Sequence, residues 1–122
     1  MTWIAVGLGG ALGSLARHGV NAALAHFTET TTPYATATVN VIGSLVIGVL
    51  AGLMAGGRLH MSPFQRTFVF VGILGGFTTF SSFMLDTLTL AHGHQHHVAA
   101  ANVAAQLVLG AIAVFGGYAL AR

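Results

Sequence analysis

Apolar residues fill four long stretches of the chain, roughly residues 3–25, 35–55, 66–91 and 98–121. Polar residues gather in the short connections between them, at 26–34, 56–65 and 92–97. Each stretch reaches the ~20 residues that an α-helix needs to cross the hydrocarbon core of a bilayer. Pro33 and Pro63 both fall in connections, where a proline interrupts no helical ladder. The pattern predicts an all-α membrane protein with four transmembrane helices in a single integral membrane domain, residues 1–122. No linker, low-complexity tract or convincing internal repeat points to a second domain.

Small residues recur one helical turn apart inside these stretches. Gly9 and Gly13, and Gly10 and Ser14, do so in the first stretch, and Ser44, Gly48, Gly52 and Gly56 in the second. Ala101 and Ala105, and Ala113, Gly117 and Ala121, do so in the fourth. Lipid offers helices no hydrophobic reason to associate, so close backbone approach along small-residue stripes has to supply the attraction. These stripes are expected to be packing faces. Their number suggests that some of them meet a second copy of the chain.

The third stretch departs from an ordinary membrane helix. It reads Gly75-Gly76-Phe77-Thr78-Thr79-Phe80-Ser81-Ser82-Phe83. Glycine loosens a helix, and Thr and Ser hydroxyls compete for backbone partners. A break is expected near residues 75–79. Irregular backbone at membrane depth survives only when buried in protein or lining a cavity. Its freed carbonyls would coordinate a small hard cation such as Na⁺. Phe80 and Phe83 follow one turn apart, and aromatic edges are electropositive. With the hydroxyls of Thr79, Ser81 and Ser82, they offer an anion a route without a fixed positive charge. The competing reading is that the phenylalanines merely face lipid or core.

Composition narrows the functional classes. Of 122 residues, 5% are charged, against the ~25% of a soluble domain, and mean hydropathy is +0.83. There are 4 Lys+Arg, all Arg, and 2 Asp+Glu, so the high pI reflects a difference between very few charges and does not argue for nucleic acid. Cysteine is absent, which excludes disulfides and thiolate metal sites. The first stretch lacks a basic leader and is too long for a signal-peptide core. The two acids, Glu29 and Asp86, are far apart in sequence, and no phosphate-binding glycine loop occurs, so an enzyme is not expected. His92, His94, His96 and His97 crowd the last connection without an acid or cysteine and are read as a solvated loop rather than a metal site.

The few polar residues within the stretches are costly there and need partners. Arg17 lies about 21 Å along the first helix from Trp3; it either snorkels to an interface or faces an aqueous vestibule that attracts anions. Asn40 offers two donors and an acceptor early in the second helix. Asp86 is expected to cap a helix or pair with Arg17. Asn102 and Gln106 share one face of the fourth helix, where they either line a polar track or join helices together.

Three segments, in order, carry a resemblance. Gly9-Gly10-Ala11-Leu12-Gly13-Ser14-Leu15-Ala16-Arg17 is similar to a GGxxGxxxR opening, and Thr36-Ala37-Thr38-Val39-Asn40-Val41-Ile42-Gly43-Ser44 to a GTLxVNxxG segment. Residues 75–83 are similar to a GGxTTFSTF signature. Over essentially its whole length the chain resembles the Fluc (CrcB) fluoride channels. The resemblance implies a passive, F⁻-selective channel of the cell (inner, or plasma) membrane that relieves fluoride toxicity. Fluoride that enters as HF and dissociates inside would leave through it down its electrochemical gradient. It further implies an antiparallel, dual-topology homodimer with two pores. A central structural Na⁺ would be held by the main-chain carbonyls of Gly75 and Thr78. Asn40, Thr79, Phe80, Ser81 and Phe83 would border the fluoride route, Arg17 the vestibule, and Asn102 and Gln106 a polar track. Ala35 stands where the family has Gly, Ser82 where it has Thr, and Asp86 where it has Glu.

Four crossings would place both ends and the second connection on one side, with Arg58, Arg66 and Arg122, and the positive-inside rule favours that side as cytoplasmic. The bias is modest, as dual insertion requires, and partly protonated His in the opposite connections softens it near or below pH ~6.5. The alternative is a small multidrug-resistance-type proton-coupled transporter, of similar length and span count. That chemistry needs a carboxylate in the first helix, which here holds Arg17 and no acid. A non-transporting assembly subunit would explain the small-residue stripes but not Asn40 together with the Phe–hydroxyl run.

Overall fold

A computed structural model describes residues 1–29 and 33–122; the part of the first connection at 30–32 lies outside the described residues. The described residues form helices joined by short turns. α1 spans Thr2–Ala25 and α2 Tyr34–Ala55. A third helical stretch opens with α3 (Pro63–Arg66), continues as a π-helix over Thr67–Leu74 and closes with α4 (Gly75–Phe77). After Thr78 and Thr79 the chain resumes as α5 (Phe80–His92), and α6 (His96–Ala121) follows.

Among the described residues, three stretches are long and apolar enough to cross a membrane: Tyr34–Ala55, Pro63–His92 and His96–Ala121. This is the architecture of a multi-pass membrane protein. α1 has the length, 24 residues or about 36 Å. Ser14, Arg17, His18 and Asn21 dilute its apolar character.

The third stretch starts three residues before the apolar run because Ser62 nucleates it. Gln65 N–H donates to Ser62 Oγ at 3.2 Å, and Ser62 N–H donates to Gln65 Oε1 at 2.9 Å. This reciprocal capping box, with Pro63 at the first helical position, satisfies orphan donors of the first turn.

Packing follows the small-residue stripes, and it follows them within the chain. α2 lies along α6, and α1 along the π-helix and α4. A Cβ at Gly13 would collide with the Ile73 carbonyl, and one at Gly48 with the Val114 carbonyl. Gly9 likewise faces Phe68 and Gly72, and Gly52 faces Tyr118. The Gly9/Gly13 and Gly48/Gly52 stripes are therefore consumed between helices of one chain, and they do not themselves require a second copy. The interior is small and partly polar: Ala5, Ala35 and Ala99 are buried, and so are Thr36, Asp86, Asn102 and Gln106. Large apolar side chains such as Trp3, Leu15, Leu107, Phe115 and Leu120 point outward. That distribution suits a lipid environment, where apolar surface costs nothing and unpaired polar groups cost much.

A polar seam at the interrupted helix

The helix ending at Phe77 stops because the next two residues leave helical geometry. Thr78 has φ −84°, ψ 156° and Thr79 has φ −150°, ψ 117°, both extended. The expected interruption at 75–79 is thus narrower in the structure: Gly75, Gly76 and Phe77 are helical. The threonines, rather than the glycines, leave the helix. Thr78 ties itself back to the preceding turn, with its N–H and its hydroxyl both donating to Leu74 O, at 3.0 and 2.9 Å. Thr79 starts the next helix as its N-cap, its hydroxyl accepting from Ser82 N–H at 3.2 Å.

Asn40 repairs the gap. Its Oδ1 accepts from Thr79 N–H at 2.8 Å, and its Nδ2 donates to Thr79 O at 3.1 Å. One side-chain amide thereby replaces both main-chain partners that an extended residue inside a membrane lacks. α2 comes this close because residue 43 is glycine; a Cβ there would run into the Thr78 methyl group. In a continuous helix Thr79 N–H would donate to Gly75 O. Because it donates to Asn40, the Gly75 carbonyl is released, on an exposed residue.

The second donor of Asn40 Nδ2 reaches Gln106 Oε1 at 2.8 Å. Gln106 Nε2 donates to Asn102 Oδ1 at 2.9 Å, Asn102 Nδ2 to Thr87 Oγ1 at 3.0 Å, and Thr87 Oγ1 to Phe83 O at 2.8 Å. Every link runs in the same donor-to-acceptor sense, so the amides and the hydroxyl form one directed chain. Asn102 and Gln106 are both only 7% exposed. They join helices to one another, and they do so in a line that ends on the backbone beneath Phe83.

Phe80 and Phe83 meet edge to face, with centroids 5.8 Å apart and planes at 70°. Their exposures differ sharply: Phe83 is 4% exposed and Phe80 71%. Ser81 is exposed beside Phe80, its hydroxyl 3.4 Å from that of Thr79. A cavity of about 360 Å³ is lined by Asn40, Gly43, Ser44, Ile47, Phe70, Leu74, Gly75, Thr78, Thr79 and Phe80. The structure thus brings Asn40, Gly75, Thr78, Thr79 and Phe80 to one cavity, with Phe83 packed against it and Gln106 and Asn102 behind it.

Arg17 and Asp86 do not behave as a pair. Arg17 Nη1 donates to Thr78 O at 3.4 Å. Asp86 sits in the middle of α5, 9% exposed, and among the described residues its buried Oδ2 has no hydrogen-bond partner. The expected ion pair and the expected capping role are both replaced: Arg17 is drawn to the Thr78 carbonyl at the interruption, and Thr79 caps α5. In the last connection, His92 Nδ1 lies 3.1 Å from Leu88 O. Among the described residues no group of three or more His, Cys, Asp and Glu gathers as a metal site.

Two further residues shape the seam: Thr87, which no motif marks, and Gly43, which closes the Asn40 motif. Thr87 stands one turn after Phe83 on α5, a hydroxyl beside Asp86, which is the costlier residue in a membrane. Gly43 follows Asn40 by one turn, so it shares that residue's face, and this spacing was the available signal.

Comparisons with known proteins agree with the shared motifs. The sequence model of the family described as "CrcB-like protein, Camphor Resistance (CrcB)" matches residues 4–118. A protein of Rhodospirillum centenum named "Fluoride-specific ion channel FluC" is 48% identical over 98% of this chain and 94% of its own length. Proteins of the same name from Opitutus terrae and Paracoccus denitrificans are 44% and 45% identical, over 95% and 99% of this chain and 89% and 94% of their own lengths. With a family match across nearly the whole chain and relatives this similar at full length, the chain belongs to the CrcB family.

Proposed function

We propose that this protein is a fluoride-selective channel that lets F⁻ leave the cell passively through the membrane. The observation that carries the reading is the seam itself: an uncharged amide, hydroxyls and an edge-to-face phenylalanine pair converge on interrupted backbone within an apolar helix. Each of these groups offers positive partial charge without a formal cation. A small anion is thereby compensated as it sheds water, yet not held so tightly that it stays. Asn40, Thr79, Phe80, Ser81 and Phe83 are the residues assigned to that route. Asn102 and Gln106 stand behind it, and Arg17 supplies attraction at its mouth.

The working unit in this reading is an antiparallel homodimer of four-helix subunits, with α1 as the fourth crossing and the third helix broken at Thr78–Thr79. The released Gly75 carbonyl, on an exposed residue of the cavity that Phe80 also lines, supports a second copy: a main-chain oxygen at membrane depth needs cover other than lipid. A two-fold axis would repeat the seam, giving two routes per dimer. The central Na⁺ fits the donors present. Gly75 O has lost its helical donor, and Thr78 O has only the long contact from Arg17, so both are hard oxygens free to ligate. When bound, the ion would neutralise carbonyl dipoles that meet at the axis.

Efflux from proteoliposomes tests the reading. Fluoride should leave rapidly and chloride at background rate. Absence of fluoride flux, or equal chloride flux, sinks the channel assignment.

A further inference from the structure

We propose that the Gln106 carboxamide oxygen is a resident stand-in for the anion, occupying the donor of Asn40 until fluoride displaces it. The inference rests on the channel reading and adds a competitor inside the site. Both N–H bonds of Asn40 Nδ2 are spent, one on Thr79 O at 3.1 Å and one on Gln106 Oε1 at 2.8 Å. Asn40 therefore has no donor for an anion unless one of those acceptors leaves. Thr79 does not leave easily, because the same amide also accepts its N–H at 2.8 Å, and releasing it would orphan two main-chain groups at once. Gln106 touches Asn40 through a single bond from a flexible side chain, so it is the acceptor that yields. Its oxygen carries partial negative charge and stands at hydrogen-bond distance from the donor, where an arriving fluoride would stand.

The rest of the directed chain aims it. Asn102 Oδ1 accepts from Gln106 Nε2 at 2.9 Å, which fixes which end of the carboxamide faces Asn40. Asn102 is fixed in turn by Thr87, whose hydroxyl is spent on Phe83 O. Gln106 is thus a positioning and specificity residue with two effects. It keeps Asn40 paired while no ion is present, so that no buried donor is orphaned. It also makes each ion displace a neutral hydrogen bond, which weakens fluoride binding and speeds its release.

The prediction is counterintuitive for a polar residue in an ion route: removing it should tighten binding. In proteoliposomes with the full-length protein, Gln106→Met retains the volume and removes the acceptor. The fluoride concentration that half-saturates efflux should fall about fivefold, the ratio set by one net neutral hydrogen bond, with a lower maximal rate. Gln106→Glu keeps an acceptor and strengthens it, so half-saturation should rise. A purely structural role moves both variants the same way. If Met leaves half-saturation unchanged or raises it, the inference is overturned. Should Gln106→Met fail to assemble, Asn102→Ala, which removes the anchor of Gln106, is held to the same criterion. A wild-type protein without fluoride preference over chloride refutes the channel reading instead; a wild type that shows it, with variants that fail as above, refutes only the stand-in.

Discussion

Asn40 does the work of a length of backbone. Its amide closes both sides of Thr79, and with Gln106 it completes its own donors. Asn40→Leu would orphan Thr79 N–H, Thr79 O and Gln106 Oε1 together. A buried polar group left unpaired costs about 1–3 kcal/mol, so the variant should lose most fluoride efflux and melt well below wild type, as flux and thermal denaturation in detergent would record. Retained flux with an unchanged melt would mean that water replaces the amide. The candidate residues of this seam were legible in the sequence because each is anomalous in a membrane: an Asn, an Asn–Gln pair, an Arg, a Phe–hydroxyl run. Their partners were not. Arg17 and Asp86 are the opposite charges of the apolar stretches, and charge alone pairs them; the fold instead sets Arg17 against Thr78 O and leaves Asp86 Oδ2 buried without a partner among the described residues.

Helices here are matched by where their glycines lie. Gly48 of α2 admits the Val114 carbonyl of α6, and Gly13 of α1 admits that of Ile73. Because the obstacle in each case is backbone, no side-chain rotation relieves it. Gly48→Leu should therefore separate α2 from α6 and withdraw Asn40 from Gln106, abolishing folded protein on size-exclusion chromatography. Gly7→Leu, at a position whose Cβ would meet nothing within 4 Å in the chain, should be recovered at wild-type yield. Equal behaviour of the two variants would refute the packing assignment. The spacing of the stripes was readable, but which helix fills each was not. The π-helix over Thr67–Leu74 had no sequence signal: a run of Phe, Val, Ile and Leu looks alike at either helical period.

At the scale of the whole molecule, one chain leaves Phe80 exposed and the Gly75 carbonyl released, on a seam that lipid would cover badly. An antiparallel second copy meets both needs in the proposed assembly. Its arginines are too few to force a single orientation: only Arg58, Arg66 and Arg122 favour one side, and the opposite connections hold His as their basic residues. Accessibility of a C-terminal tag in intact and opened cells should reveal about equal populations facing each way. A single orientation would rule out the homodimer and require an oppositely inserted homologue as partner.

Hydrophobicity, helical spacing and rare polar residues act locally, so the sequence alone determined that this is a helical membrane protein, where its helices run and which residues are too costly to be incidental. Hydrogen bonds across helices depend on which backbones approach closely enough to share a donor, and that is settled by the whole packing at once. Only the tertiary structure decided that the threonines rather than the glycines leave the helix, because Asn40 is there to receive Thr79. Only it decided that Gln106 fills the remaining donor of Asn40, because α2 and α6 lie glycine against backbone.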